Sequence, residues 1–409
     1  MIDSIDFKLI GNSEKRVKID LNGKNLIITG ENGCGKTRLL RQLHTYLQQY
    51  LKKEIQPKHQ IQQEIDENQR RLNNIPESDK YYTHHTSQIK LYTQQLERIS
   101  NENIEISDTE SLFKLVNNNQ IILRFFEANR LASNIASNGQ IESISNVKQA
   151  EKSQNYEQDS SNQFEKYLVS YYNYESHVIA RENNPEKEQQ IGIWFEKVEK
   201  DLRSLFEDPK LVLEYKPEEQ AFYINQQGKD PYRFNNLSSG YSSILSIYAD
   251  LLMKVELREI AADQLTGFVL IDEIDAHLHV SIQRKIFSFF DKAFPKIQFI
   301  VTTHSPFVVQ SVNDAIIYDL SKLETMEDLS MYSYESILKG LLGVESTSDI
   351  LNDQLDEMAQ IVHQEPLNKG RLKELIELIA PHEAKLDSRS RAFLLLGKNA
   401  LLDSNNGEE

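Results

Sequence analysis

The sequence predicts an α/β protein: a mainly parallel sheet core with an inserted helical arm, followed by a helical C-terminal region. Three observations predict it. The apolar run Leu26-Ile27-Ile28 ends in a glycine-rich loop, and helical periodicity begins directly after it, with Leu39, Leu40, Leu43 and Leu47 on one face. A second run, Phe268-Val269-Leu270-Ile271, is apolar without alternation, as suits a strand of a parallel sheet covered on both faces. Between the two lies a polar stretch with a helical seam, and past Asp319 the pattern is largely helical to about Leu402.

Taken in order, Ile2, Ile5, Phe7 and Leu9 alternate with polar residues, as do Val17, Ile19 and Leu21, and each set predicts a strand. The helix from Arg38 continues through glutamine-rich sequence towards Ile75, with a break or kink at Pro57. After the turn-like Asn73-Asn74-Ile75-Pro76-Glu77-Ser78-Asp79, His85, Ile89, Tyr92, Leu96 and Ile99 recur at spacings of four and three, the seam of a coiled coil. Two helices folding back as a hairpin fit this pattern, and so does an ordinary helical pair packed on the core. Eight basic residues stand against seven acidic ones between Leu51 and Ser100, so the arm suits protein contact better than DNA tethering. The Ser-, Asn-, Gln- and Glu-rich stretch from about Ser133 to Gln163 predicts a mobile surface loop without chemistry. Helix is expected from Phe164 through Phe206, then a hairpin of Leu211 to Tyr215 and Ala221 to Ile224. The organisation expected is a core beginning at 1–46, an arm at 47–110, the remaining core at 111–320 and helices at 321–409.

Composition narrows the function classes. With 39% hydrophobic and 26% charged residues the chain reads as an ordinary globular protein, and no run approaches the ~20 apolar residues of a membrane span. The start MIDSIDFKLIG lacks the basic and apolar regions of a secretory signal, so a cytoplasmic protein with no membrane partner is expected. Cys34 is the single cysteine, which excludes an internal disulfide and suits a reducing compartment. A net charge of -16 opposes generic nucleic-acid binding, which needs Lys and Arg against phosphates.

The chemistry lies in short motifs. Gly30-Glu31-Asn32-Gly33-Cys34-Gly35-Lys36-Thr37, between a strand and a helix, has the pattern and context of a P-loop. Its glycines let backbone N–H groups of Asn32, Gly33, Cys34 and Gly35 curl round phosphates, and the helix N-terminus adds partial positive charge. Lys36 is expected to reach the β- and γ-phosphates of ATP, and Thr37 to give its hydroxyl to Mg²⁺. The acids Asp272 and Glu273 end the second apolar run; Asp272 is the expected Mg²⁺ partner and Glu273 the general base for the attacking water. Leu237-Ser238-Ser239-Gly240-Tyr241 offers Ser hydroxyls and a glycine N–H at a helix start, a second anion site without a lysine. His277 and His279 lack the companions a zinc site requires.

In this order the motifs resemble those of ABC-type ATPases, whose signature is written LSGGQ. Asp275 in Ile274-Asp275-Ala276-His277-Leu278-His279 looks like the D-loop, and His304 in Val301-Thr302-Thr303-His304-Ser305-Pro306 like the switch histidine. The resemblance implies that Ser238, Ser239 and Gly240 of one protomer close on the γ-phosphate held by the partner's P-loop, sensed by His304, in a homodimer or higher homo-oligomer. Ser239 and Tyr241 depart from the usual glycine and glutamine, and no Q-loop glutamine can be placed, since Gln140 and Gln149 fall in polar loop. Slow turnover is therefore open. Phe125-Phe126-Glu127-Ala128-Asn129-Arg130 is a candidate strand end facing the site.

The wide separation of P-loop and signature resembles the RecF, SMC and OLD branch rather than transporters. Residues 332–338 and 341–344, with the Thr-Thr-His-Ser-Pro segment, look like the ATPase subunits of bacterial antiphage systems, Septu and PARIS among them. That resemblance implies a sensor and scaffold controlling a separate nuclease effector, triggered by a phage protein or nucleic acid. The alternative is a RecF- or SMC-like ATPase that clamps DNA in repair or recombination.

Overall fold

The computed structural model describes the chain except residues 10, 12–14, 56–57, 119, 131–134, 136–142, 153–156, 183, 260–261, 313, 327–348, 365, 387 and 407–409. Two compact units are present, Met1–Tyr334 and Glu335–Glu409. The 332–344 stretch lies outside the described residues, so its resemblance stays with the sequence.

Strand β1 (Ile2–Lys8) pairs antiparallel with β2 (Arg16–Asp20), and β3 (Asn25–Thr29) leads through the glycine-rich loop into α1 (Lys36–Leu51). Leu39, Leu40, Leu43, Tyr46, Leu47 and Leu51 form the buried face of α1, the 3.6-residue stripe expected from their spacing. Leu43 is fully buried, and its truncation to Ala should cost about 2–5 kcal/mol. This face packs on Ile5, Phe7, Val17 and Ile19 from one sheet and Leu26, Ile28 and Ile300 from the other, so α1 is the slab between them.

The arm is a hairpin of α2 (Lys58–Asn73) and α3 (Tyr82–Asn101). Ile61, Ile65 and Asn68 are buried on α2, while His85, Ile89, Tyr92 and Leu96 are half-buried on α3. His85 Nδ1 meets Asn68 Oδ1 at 2.8 Å, a polar pair in the seam. The arm is shorter than 47–110. Residues to Leu51 belong to α1, and β4 (Glu102–Ile106) already pairs with β1 because Ile104 has apolar surface to bury there. Gln42 Nε2 pins the return by donating to Glu102 Oε1 at 2.8 Å and Lys8 O at 2.9 Å.

Helix α4 (Thr109–Asn117) and strand β5 (Ile121–Phe126) follow, then α5 (Ile144–Lys152), α6 (Phe164–His177) and α7 (Pro185–Leu205). The Phe164–Phe206 region is thus two helices, parted by a π turn at Val178–Glu182 and restarted by Asn184 and Pro185 as cap and first residue. The described part of the 133–163 region differs from the free loop that composition predicts. It contains α5, and Ser160, Ser161 and Gln163 are buried. Polar composition misleads here because the segment is held through hydrogen bonds to buried charge rather than through apolar contact.

A small antiparallel sheet of β6 (Val212–Lys216), β7 (Ala221–Asn225) and β8 (Tyr232–Arg233) precedes α8 (Ser239–Leu257). Then come β9 (Thr266–Ile271), α9 (Val280–Gln283), α10 (Ile286–Ala293), β10 (Ile297–Thr302), α11 (Pro306–Gln310), β11 (Ala315–Asp319) and β12 (Glu324–Met326). The main sheet runs β12-β11-β3-β10-β9-β5, parallel except for edge strand β12. Its parallel strands share one carboxyl edge, where open α/β sheets place their ligands. The core thus extends past 320 to include β12.

The second unit holds α12 (Asp349–Val362), α13 (Lys369–Ile379) and α14 (Ser388–Asn406). Leu355, Met358, Ile361, Leu372, Leu375, Ile379 and Leu394 form its own small core. Among the described residues no helix is long and apolar enough to cross a membrane.

Candidate nucleotide site

At the end of β3 the chain must turn sharply into α1, and glycines with positive φ make the turn: Gly30 at 130°, Gly33 at 79° and Gly35 at 108°. A Cβ on Gly30 would lie 2.7 Å from Ser321 Oγ and 3.0 Å from Ser321 N. That close approach is structural, since Ser321 Oγ accepts from Glu31 N at 2.8 Å and Asp319 Oδ1 accepts from Ser321 N at 2.8 Å. A Cβ on Gly33 would meet nothing within 4 Å, so the loop faces open space. Lys36 Nζ reaches back across the loop to Gly30 O and Glu31 O, each at 2.9 Å, and to Cys34 Sγ at 3.8 Å. Burial lowers its pKa, opposed by Cys34 and the nearby carboxylates of Glu273 and Asp272.

Strand β9 delivers Asp272 beside that loop. Its Oδ2 accepts from Thr37 Oγ1 at 2.8 Å and its Oδ1 from Thr302 Oγ1 at 2.6 Å. Thr302, at the end of β10, also accepts from Glu273 N at 2.8 Å, so one hydroxyl orients both acids. Glu273 is partly exposed and sits at φ 47°, a left-handed conformation a non-glycine residue holds only when its surroundings enforce it. Thr303 Oγ1 donates to Asp275 Oδ1, joining the D-loop-like turn to β10. His304 follows; burial lowers its pKa, with Lys36 adding to the effect and Asp275, Glu273 and Asp272 opposing it.

Three strand ends therefore converge. Lys36, Thr37, Asp272, Glu273, Asp275 and His304 occupy one edge of the sheet. The donor set fits a hard divalent cation, with a hydroxyl and a carboxylate oxygen adjacent and the remaining positions left to phosphate and water. The open loop fits a polyphosphate.

Signature residues Ser238 and Ser239 begin α8, and both are exposed. Ser238 makes no capping bond. Among the described residues no hydrogen bond joins either hydroxyl to the P-loop. Gly240 is buried, and a Cβ there would lie 2.4 Å from His277 O, so the signature and the D-loop-like turn touch within one protomer. The tyrosine at the usual glutamine position has a local reason: the Tyr241 ring stacks on Phe206 with centroids 4.5 Å apart and planes within 1°. His279 caps α9 through Ser281, and His277 takes φ 62° in the turn.

The candidate segment at Phe125–Arg130 is at the site. Asp272 N donates to Phe126 O at 2.8 Å, extending the β5–β9 pairing. Arg130, buried to 8% exposure, donates to Asp272 O at 2.6 Å, Glu273 O at 2.9 Å, Glu127 O at 3.0 Å and Ser243 Oγ at 2.8 Å. Burial pulls its guanidinium down to about 10, partly offset by Asp272, Asp275 and Glu273, so it stays charged at neutral pH. Sequence reasoning gave no role to Thr302 or Arg130. Thr302 offered only its place in a quoted motif.

The family described as "AAA domain, putative AbiEii toxin, Type IV TA system" matches residues 26–310. The Septu protein PtuA of Bacillus mycoides (strain KBAB4) is 31% identical over 195 residues, 45% of this chain and 27% of that protein. The Retron Ec83 probable ATPase of Escherichia coli is 44% identical over 85 residues, 20% of this chain and 16% of that protein. The chain spans about a quarter of the first of these relatives, by its matched 27%. A solved SMC head bound to the C-winged helix domain of ScpA covers 80% of this chain and 95% of its own, at 16% identity and a TM-score of 0.36. With the match running over 26–310, well over half of its 409 residues, and enclosing the glycine-rich loop, both acids and His304, the chain belongs to this AAA-domain family and carries a P-loop ATPase core.

Proposed function

We propose that the chain is an ATPase of bacterial antiphage defence that closes as a dimer round Mg-ATP, its nucleotide state controlling a separate nuclease effector. The observation that carries the catalytic half is the convergence of Lys36, Thr37, Asp272 and Glu273 at one sheet edge, with Thr302 orienting both acids. The exposed Ser238 and Ser239 at the start of α8 support closure, since their hydroxyls are open to a phosphate held by a second copy. Likeness to Septu and retron ATPases supports the defence setting.

In this reading the P-loop N–H groups and Lys36 hold the phosphates, and Thr37 with Asp272 holds the metal. A Mg²⁺ ion held there would supply positive charge against the phosphates. Glu273 takes a proton from the attacking water as its oxygen bonds to the γ-phosphorus and the bridging P–O bond breaks, releasing ADP and phosphate. His304, whose pKa burial and then Lys36 lower, can hydrogen-bond that phosphate through its imidazole.

The test uses tagged Glu273→Gln with ATP. Retained ATP, lost phosphate release and a doubled mass by light scattering are expected, with a nuclease-like protein co-purifying in stoichiometric amount after nuclease treatment. Wild-type turnover would refute the base, and a monomer under saturating ATP would refute closure. Protected DNA without such a protein would replace effector control by a DNA clamp.

A further inference from the structure

We propose that Arg130 is a positioning residue that links the signature helix to Glu273 within one protomer, so that engagement of the signature by a partner's nucleotide is felt at the general base. The inference deepens the ATPase reading and rests on Glu273 being that base.

The geometry has two sides. On one, the guanidinium spans two consecutive peptide carbonyls, Asp272 O and Glu273 O, which lie where the chain leaves β9 and enters the left-handed conformation of Glu273. A planar fork with several donors suits such a pair, whereas an ammonium is a point charge and cannot reproduce it. On the other side, Nε donates to Ser243 Oγ, and Ser243 lies one helical turn after Ser239 on α8. Ser238 and Ser239 start that helix, and Gly240 rests on His277 O in the turn that follows Glu273. A shift of α8 therefore reaches the Glu273 turn by two short routes, one through Arg130 and one through Gly240 and His277. Thr302 fixes the N–H of Glu273, and Arg130 fixes its carbonyl. Together they set the peptide planes on both sides of the Glu273 Cα.

Burial makes the link stiff. At 8% exposure the guanidinium cannot swing into water, and a charged donor shared among three carbonyls and a hydroxyl is costly to leave unpaired. The hydrogen bonds of Arg130 go to Ser243, Glu127, Asp272 and Glu273, not to Lys36 or the glycine-rich loop, so its effect should appear in the chemical step rather than in nucleotide affinity.

The experiment compares wild type, Arg130→Lys and Ser243→Ala in phosphate-release kinetics, nucleotide affinity, thermal unfolding and ATP-dependent mass. Expected for Arg130→Lys is a fall in kcat of about 10- to 100-fold, the range for losing a side chain that orients a catalytic group rather than touching substrate. KM and nucleotide affinity should stay within about threefold, and ATP-dependent association should persist. Partial recovery of Arg130→Ala by added ethylguanidinium is a further expectation that a purely structural role does not share. Ser243→Ala cuts only the tie to α8, leaves the carbonyl contacts, and should lower kcat by about 3- to 10-fold while the unpaired Nε–H lowers the unfolding temperature by only about 2–6 °C; it keeps the test decisive if Arg130 variants do not fold. Unchanged kcat in Ser243→Ala, or loss of turnover that merely tracks lost nucleotide affinity in Arg130→Lys, would overturn the proposal. Normal hydrolysis by Glu273→Gln would instead overturn the reading beneath it, so the two failures are distinguishable.

Discussion

Replacing Asp250 by Ala tests what holds the 157–161 segment to the core. Asp250 is 0% exposed and lies between two cations: Arg124 Nε donates to Oδ2 at 2.8 Å, and Lys254 Nζ stands 3.8 Å from Oδ1. Ser160 N donates to Oδ1 at 2.6 Å, Lys254 Nζ donates to Gln158 O at 2.6 Å and Ser160 Oγ at 3.0 Å, and Arg124 also donates to Glu157 O. Removing the carboxylate leaves buried positive charge uncompensated, a loss of about 3–5 kcal/mol. The orphaned Ser160 N–H would add about 1–3 kcal/mol alone, but the two losses share atoms and do not sum, so about 4 kcal/mol is expected. At about 2 °C per kcal/mol for a unit of this size, the unfolding temperature should drop by about 8 °C in calorimetry. Amide exchange at Ser160 and Ser161 should accelerate alongside it.

The pH behaviour has a fixed sign. Desolvation opposes ionisation of Asp250, but Lys254, Arg124 and the Ser160 N–H outweigh it and hold its pKa below the ordinary aspartate value. Stability from a depressed carboxylate is present above its unfolded pKa and lost as pH falls through the folded one. The gap between wild type and Asp250→Ala should therefore be flat from about pH 5 to 8 and shrink only below about pH 4. A drop under about 2 °C with unchanged exchange would refute the view that this charge cluster ties the segment down.

Gly240→Ala would put a methyl 2.4 Å from His277 O, a backbone atom that cannot rotate aside. A loss of about 1–3 kcal/mol in unfolding free energy and slower phosphate release are expected; a variant as stable and active as wild type would show that the two turns do not need this contact. Thr37→Val removes the hydroxyl 2.8 Å from Asp272 Oδ2, so half-maximal turnover should require about tenfold more Mg²⁺, and an unchanged Mg²⁺ titration would remove Thr37 from the metal site. His44 packs its ring 5.4 Å from Phe125, and burial, then Arg124 and Lys52, pull its pKa down to about 4. The unfolded chain then binds the proton first, so stability should fall as pH drops from about 6.5 to about 4, by up to about 2 kcal/mol after allowance for solvent screening. His44→Gln should flatten that slope, and an identical slope in the variant would assign it to other groups.

The parts of this site that the sequence exposes are those whose chemistry fixes residue type and spacing together. A P-loop pattern needs its glycines and Lys36 within eight positions, and an acid proposed to bind a metal ends an apolar strand, so both candidates are visible in the chain itself. The parts it hides act through partners distant in sequence. Arg130 serves Glu273, 143 positions away, by backbone carbonyls, and a carbonyl has no residue type to advertise it. Thr302 orients acids 29 and 30 positions upstream, which the strand order β10-β9 explains but no local pattern does. The charge cluster left a trace: Arg124 interrupts the apolar run Ile121–Phe126, and Asp250 and Lys254 sit four apart inside α8, whose residues are otherwise mostly buried and apolar. A charge in a segment that must be buried on both faces has to find an opposite charge, and here the three find one another. Polar composition alone therefore could not predict mobility for residues 157–161, because what anchors them is written in β5 and α8 rather than in their own sequence.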